Sequence, residues 1–190
     1  MVQFAVICAS NQNRSMEGHH VLNQRGFDVH SYGTGSMVRL PGASADNPNV
    51  FDFGTPYTEI YAKLKARDSE LYTRNGLLSM LDRNQKIKLA PERFQDSQIT
   101  FDVIITCEER CFDAVCEELT SRGSPFCKRV HVINVAINDN HKDASIGGKV
   151  ILELAEKMEA AEDLDQEIEP IVEKVQAQTP HSLLYSVCYY

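Results

Sequence analysis

No apolar run in this chain approaches the length of a membrane-spanning helix. The longest is Phe4 to Ala9, whereas a helix that crosses a bilayer needs about 20 such residues. The chain does not open on a basic segment followed by an apolar one, so no secretory signal is expected and the protein reads as intracellular. Cys-x-x-Cys pairs are missing although there are 6 cysteines. That disfavours a zinc ribbon and, in a reducing compartment, leaves core residues or catalytic thiols. Positive charge is also in deficit. Lys and Arg number 19 against 27 Asp and Glu, a net charge of -8. A molecule of that charge repels nucleic acid, so no direct nucleic-acid or membrane contact is expected, and an anionic ligand has to be caught locally.

What is present is an ordinary globular composition, 43% hydrophobic and 24% charged over 190 residues. It is enough for one domain over residues 1–190 with a real core. Short apolar runs alternate with amphipathic stretches. Phe4–Ile7 reads as a strand, Arg14–Gln24 as a helix and Phe27–Tyr32 as a second strand. Phe101–Thr106 is a buried strand, followed by a helical stripe from Glu108 to Leu119, then by a strand at Val130–Val135 and a helix through Gly147–Met158. This order predicts a three-layer α/β/α fold with a central parallel sheet and ligands outside the carboxyl ends of its strands. Residues 33–93 break the alternation. The stripe Tyr57, Ile60, Tyr61, Leu64, Asp68, Leu71, Tyr72, with one break, and the group Leu77, Leu78, Met80 and Leu81 predict an inserted helical region, entered through turns at Gly33-Thr34-Gly35 and Leu40-Pro41-Gly42. Pro170 marks a kink or break in an acidic tail helix, and apolar Leu183–Tyr190 is expected to pack back on the domain as a strand or extended segment.

The chemistry concentrates where the first strand ends, in Cys8-Ala9-Ser10-Asn11-Gln12-Asn13-Arg14-Ser15. A loop between a strand and a helix start can turn successive N–H groups inward, making an anion nest reinforced by the helix dipole. Residues Cys8 to Ser15 are therefore the candidate phosphate-binding loop. Arg14 adds a planar fork for phosphate oxygens, and its field favours the thiolate form of Cys8, which attacks phosphorus. Ser15 can donate to that sulfur both before attack and when it departs as leaving group. Asn11 and Asn13 are suited to locking the loop. Cys116 and Arg122 repeat the spacing, yet Glu117 and Glu118 lie between them in an amphipathic helix, so this second pair is structural.

Ester cleavage also needs a general acid from another strand end. Asp139, in the polar loop after Val130–Val135, is the candidate, although an Asp that only turns the chain or caps the next helix fits the spacing as well. Asp143 is assigned the capping role. His19 and His20 read as one packed and one solvated ring, and Cys107, Cys111, Cys127 and Cys188 as core residues.

Several blocks carry a resemblance: residues 8–17, Ser-Tyr-Gly-Thr-Gly at 31–35, Leu-Pro-Gly at 40–42, residues 75–84, Pro-Glu-Arg-Phe-Gln at 91–95, Thr-Cys-Glu-Glu-Arg at 106–110 and Asp-Asn-His at 139–141. Together they resemble the RNA polymerase II carboxy-terminal-domain phosphatases of the Ssu-seventy-two type, which share the cysteine–arginine spacing with low-molecular-weight tyrosine phosphatases. The resemblance implies a low-molecular-weight-phosphatase-like fold and a nuclear, metal- and cofactor-free phosphoserine phosphatase. Its substrate would be the polymerase tail heptad, at the fifth and also the seventh position.

The same resemblance implies Cys8 as nucleophile, Arg14 as phosphate ligand and Asp139 as acid. It further implies a groove involving Leu40, Pro41 and Met80 for a cis phosphoserine-proline bond, and so a functional link to prolyl isomerase. Its implied partners are a symplekin-type scaffold and the cleavage and polyadenylation machinery. Ala136 departs from the pattern, standing where relatives carry an Asp, and Gln12 occupies a variable loop position. A tyrosine phosphatase would want a second cysteine at Asn13, an arsenate reductase would want two resolving thiols, and a non-enzymatic scaffold would need no intact Cys8, Arg14 and Asp139.

Overall fold

The first apolar run is buried on both sides: Phe4, Val6 and Cys8 face one core cluster while Ala5 and Ile7 face another. Only a central strand covered by helices on both faces accommodates that pattern. The computed structural model describes residues 1–190. In chain order β1 (Gln3–Cys8), α1 (Arg14–Gln24) and β2 (Asp28–Gly33) form the first crossover. A hairpin of β3 (Val38–Ser44) and β4 (Asn47–Phe51) precedes α2 (Tyr57–Arg74) and α3 (Leu77–Ile87). Then follow β5 (Val103–Thr106), α4 (Glu109–Ser121), β6 (Arg129–Val135), α5 (His141–Glu159), α6 (Leu164–Gln176) and β7 (Leu183–Tyr189).

The main sheet runs β2-β1-β5-β6-β7. Its first four strands are parallel, and β7 pairs antiparallel with β6 from Arg129↔Tyr189 to Val135↔Leu183. The parallel sheet expected from the sequence is therefore mostly parallel, because the apolar carboxyl end closes one edge in the opposite direction. Helices α1, α5 and α6 supply Leu22, Leu154, Ile168 and neighbours to one face, while α4 covers the other with Val115 and Leu119. The chain passes from β2 on one side of β1 to β5 on its other side, so the carboxyl end of β1 is the topological switch point where α/β sheets hold ligands.

The inserted region has its own core, in which Leu40 and Tyr57, Ile60, Leu64, Tyr72, Leu77, Leu78, Met80 and Leu81 pack with Met16 of α1. Two expectations are corrected here. The region is not wholly helical, since β3 and β4 form a two-stranded antiparallel sheet, and Leu40-Pro41-Gly42 lies within β3, not in a turn. A proline is tolerated there because β3 has a single strand partner and pairing shifts between Leu40 and Ser44. Helix α2 carries one non-helical residue, Asp68. Pro170 does not break α6, which runs through it from Leu164 to Gln176 while Ile168, Val172 and Val175 bury its apolar face. Packing thus outweighs the lost backbone hydrogen bond.

Candidate active site

The loop after β1 is shaped by what holds its carbonyls. Thr34 N donates to Cys8 O and Gly35 N to Ala9 O, both at 3.0 Å. The Tyr57 hydroxyl donates to Asn11 O at 2.6 Å, and Asn84 Nδ2 to Gln12 O at 2.8 Å. Arg83 adds a bond to Gln12 O at 3.2 Å, and Glu17 N donates to Asn13 O at 2.9 Å. With the carbonyls turned outward, the N–H groups of residues 9–15 donate to no protein acceptor. Helix α1 likewise starts at Asn13 without a side-chain cap. Uncapped helix amides beside unpaired loop amides constitute an anion site. Asn11 sits at φ 53°, a left-handed conformation that Asn tolerates and most residues do not. The first glycine of Ser-Tyr-Gly-Thr-Gly is explained by proximity, since a Cβ on Gly33 would lie 2.6 Å from Ala9 O.

Side-chain directions follow from donor bookkeeping. Glu92 N donates to Asn11 Oδ1 at 3.1 Å, which orients the amide so that Asn11 Nδ2 donates to Ser15 Oγ at 3.0 Å. The Ser15 hydroxyl proton is then free to point at Cys8 Sγ, 3.0 Å away. Arg14 is held from behind: its Nη1 donates to Ile137 O at 2.9 Å and its Nη2 to Glu108 Oε1 at 3.1 Å. Its Nε lies 3.5 Å from Asp139 Oδ1. Burial by itself lowers the Arg14 pKa, but negative charge at Cys8, then at Asp139, Cys107 and Glu108, outweighs it and raises the pKa above the ordinary guanidinium value. Asp139 also accepts from Asn13 Nδ2 at 3.0 Å and is otherwise open to solvent.

Cys8, Arg14 and Asp139 line one cleft, together with Leu40, Pro41, Leu77 and Met80 from the inserted region. The arrangement can bind a tetrahedral anion at the amides, present a sulfur to it, and place a carboxyl opposite. Each sequence-predicted site residue falls in or around this cleft. The cap of α5 is a correction: Asn140 caps it, accepting from Asp143 N at 2.8 Å, while Asp143 sits in the first turn. Its carboxyl accepts from Asn138 and Asn140, bonds that hold its pKa below the usual carboxylate value.

His19 is buried, with Nδ1 2.8 Å from Ser31 Oγ, and His20 is half-buried. Burial, and after it Lys88, His30 and His20, pushes the His19 pKa down to about 4. Cys107 and Cys111 are buried, and burial raises both thiol pKa values. Cys127, however, is exposed, contrary to the core reading, because it lies in the turn before β6 at φ 47°. Arg122 pairs with Glu118 at 2.8 Å on α4, as expected of the structural cysteine–arginine pair.

Sequence reasoning missed Glu108, the partner of Arg14, and the clamp residues Tyr57, Arg83 and Asn84. Glu108 had a signal, a carboxylate just beyond the end of β5. Tyr57 carried none beyond its place in the apolar stripe. No cluster of three or more His, Cys, Asp or Glu side chains is placed to hold a metal ion, and no helix is long and apolar enough to cross a membrane.

Comparison with known proteins establishes the family. The chain is 53% identical over 191 residues to the Schizosaccharomyces pombe RNA polymerase II C-terminal domain phosphatase ssu72, covering 100% of this chain and 97% of that protein. It is 49% identical over 189 residues to the Homo sapiens phosphatase SSU72 of the same description, with the same coverage. A solved structure of Drosophila melanogaster Ssu72 with Symplekin, bound to a cis peptidomimetic CTD peptide phosphorylated at its fifth-position serine, superposes with a TM-score of 0.96 at 45% identity, covering 100% of this chain and 98% of that one. Another, the serine phosphatase of the RNA polymerase II CTD from Drosophila melanogaster, gives 0.97 at 46% identity with 100% of both chains covered. With the family model for Ssu72-like protein matching residues 2–190, the chain belongs to the Ssu72-like family.

Proposed function

We propose that this protein is a cysteine-dependent phosphoserine phosphatase acting on the RNA polymerase II carboxy-terminal-domain heptad, at its fifth and also its seventh serine. The carrying observation is the convergence in one cleft of Cys8, with Ser15 Oγ 3.0 Å from its sulfur, the backed Arg14 guanidinium, and Asp139. The phosphate settles on the inward amides and on the Arg14 N–H groups that Ile137 and Glu108 leave free. Cys8 thiolate attacks phosphorus in line, the Cys8–P bond forms as the P–O bond to serine breaks, and Asp139 delivers a proton to the departing serine oxygen. Water then attacks the cysteinyl phosphate, Asp139 takes its proton, and Cys8 leaves as thiolate toward the Ser15 hydroxyl. Metal and cofactor have no part in these steps.

Leu40, Pro41 and Met80 form the apolar wall beside the phosphate site, which suits a compact phosphoserine-proline turn in the cis form. Prolyl isomerase therefore serves the reaction by replenishing that form. A symplekin-type scaffold and the cleavage and polyadenylation machinery are the corresponding partners, in the nucleus, during transcription termination and mRNA 3′-end processing. The relatives' descriptions and the peptide and Symplekin in the Drosophila complex support this reading.

The deciding experiment measures phosphate release from heptad peptides phosphorylated singly at each serine, with EDTA present. Release from the fifth- and seventh-position peptides is expected. With enzyme in excess, only the cis pool, about 10–30% of an unfolded peptide, should react fast. The rest should follow over tens of seconds unless prolyl isomerase is added. Loss of activity in EDTA would refute the cysteine mechanism, and one fast phase consuming all peptide would refute cis selectivity.

A further inference from the structure

Gln12 is the one residue of the loop whose side chain is buried with both polar atoms unpaired. It is 2% exposed, and neither Nε2 nor Oε1 has a hydrogen-bond partner. Its main chain is fixed, since Gln12 O accepts from both Asn84 and Arg83. The residue lines the cleft beside Cys8 and Arg14, together with Leu77 and Met80. Leaving one buried polar group unpaired costs about 1–3 kcal/mol, so an amide kept here with two unpaired ends calls for a partner that arrives with the ligand.

The chemistry of that partner follows from having both a donor and an acceptor to satisfy. Phosphate offers acceptors only. It would meet Nε2 but leave Oε1 facing negative oxygens, and it already has the loop amides and Arg14. A peptide unit offers an N–H and a C=O. Proline has no N–H, so in a phosphoserine-proline segment the donor to Oε1 comes from the phosphoserine or from the residue before it. We propose that the Gln12 side chain, by turning its amide out of the interior into the cleft, binds the main chain of the substrate on the amino-terminal side of the phosphoserine-proline bond, distinguishing a phosphopeptide from other phosphate esters. This rests on the phosphopeptide reading above.

The test compares kcat/KM of wild-type protein and of Gln12→Met on a fifth-position heptad phosphopeptide and on p-nitrophenyl phosphate, which has no peptide unit. Methionine keeps the size and removes the polar ends. The peptide-to-aryl ratio should fall roughly tenfold, the worth of about one neutral hydrogen bond, while the melting temperature holds or rises because the unpaired amide is gone. In parallel, wild-type protein is assayed on peptides N-methylated at the phosphoserine and at the preceding residue. One of the two should lose a similar factor, and Gln12→Met should be indifferent to it.

Equal losses on both substrates would assign Gln12 to loop shape or to phosphate chemistry and overturn the proposal. An unchanged ratio, or wild-type indifference to both methylations, would overturn it as well. Wild-type protein that cleaves the aryl phosphate but not the peptide would instead refute the substrate reading, and this inference with it.

Discussion

Replacing Ser15 by alanine removes one hydroxyl from a fully buried position and leaves every charged group of the site in place. Asn11 is oriented by Glu92 N and donates to Ser15 Oγ, which directs the serine proton to Cys8 Sγ at 3.0 Å. A hydrogen bond to a charged group contributes about 1.5–3 kcal/mol, and about 1.4 kcal/mol is tenfold in rate. The bond is fully developed only when the sulfur carries negative charge, as it would, on the proposed mechanism, when the cysteinyl phosphate breaks down. Ser15→Ala should therefore lower kcat about ten- to a hundredfold and make breakdown rate-limiting. Rapid-quench kinetics with p-nitrophenyl phosphate should show a burst approaching one nitrophenolate per active site.

The same change strands Asn11 Nδ2 in the interior, at a cost of about 1–3 kcal/mol. For a chain of this size that lowers Tm by about 2–12 °C. A lowered Tm with kcat within about twofold of wild type would mean that the hydroxyl serves loop stability alone, and would refute its role at the sulfur.

Cys8→Ser should abolish turnover yet keep phosphopeptide binding by calorimetry, whereas Arg14→Ala should weaken both; multiple turnovers by verified Cys8→Ser would exclude the thiophosphate intermediate. Asp139→Asn should slow a serine phosphopeptide far more than an aryl phosphate, since phenolate departs with little help from an acid; equal slowing would make Asp139 structural. His19, with its pKa pushed down to about 4 by burial, binds its proton less readily folded than unfolded. Its contribution is complete above the unfolded pKa of about 6.5 and is lost as pH falls from there to about 4, by up to about 3 kcal/mol. His19→Gln should flatten denaturant-measured stability over that window, and an unchanged slope would refute the assignment.

The sheet was legible because a strand buried on both faces must be apolar nearly throughout, and Phe4–Ile7 and Val103–Ile105 are. The anion loop was legible because strand, small polar loop and helix follow one another without an acidic residue. The hairpin at β3 and β4 was not, because Pro41, Gly42 and Pro48 carry turn chemistry, and the short pairing is stabilised by contacts of Leu40 and Phe51 with distant α2 and α3 residues. The backing of Arg14 by Glu108 and Ile137 joins residues 94 and 123 positions away, a separation local pattern does not encode. For Asp139 only a loop and a charge were visible in the sequence, whereas its approach to Asn13 and Arg14 is a property of the folded chain.

The outward-held carbonyls of the Cys8 loop bear on the timing of recognition. Because Tyr57, Arg83 and Asn84 anchor them from the inserted region, the inward array of amides exists before any anion arrives. The conformational entropy of ordering that loop is thus settled once, when the protein folds, and not at each encounter with substrate. On the proposed function, phosphate capture is then a docking step onto a rigid template, and the slow coordinate of the cycle belongs to the peptide, whose proline would have to present the right isomer.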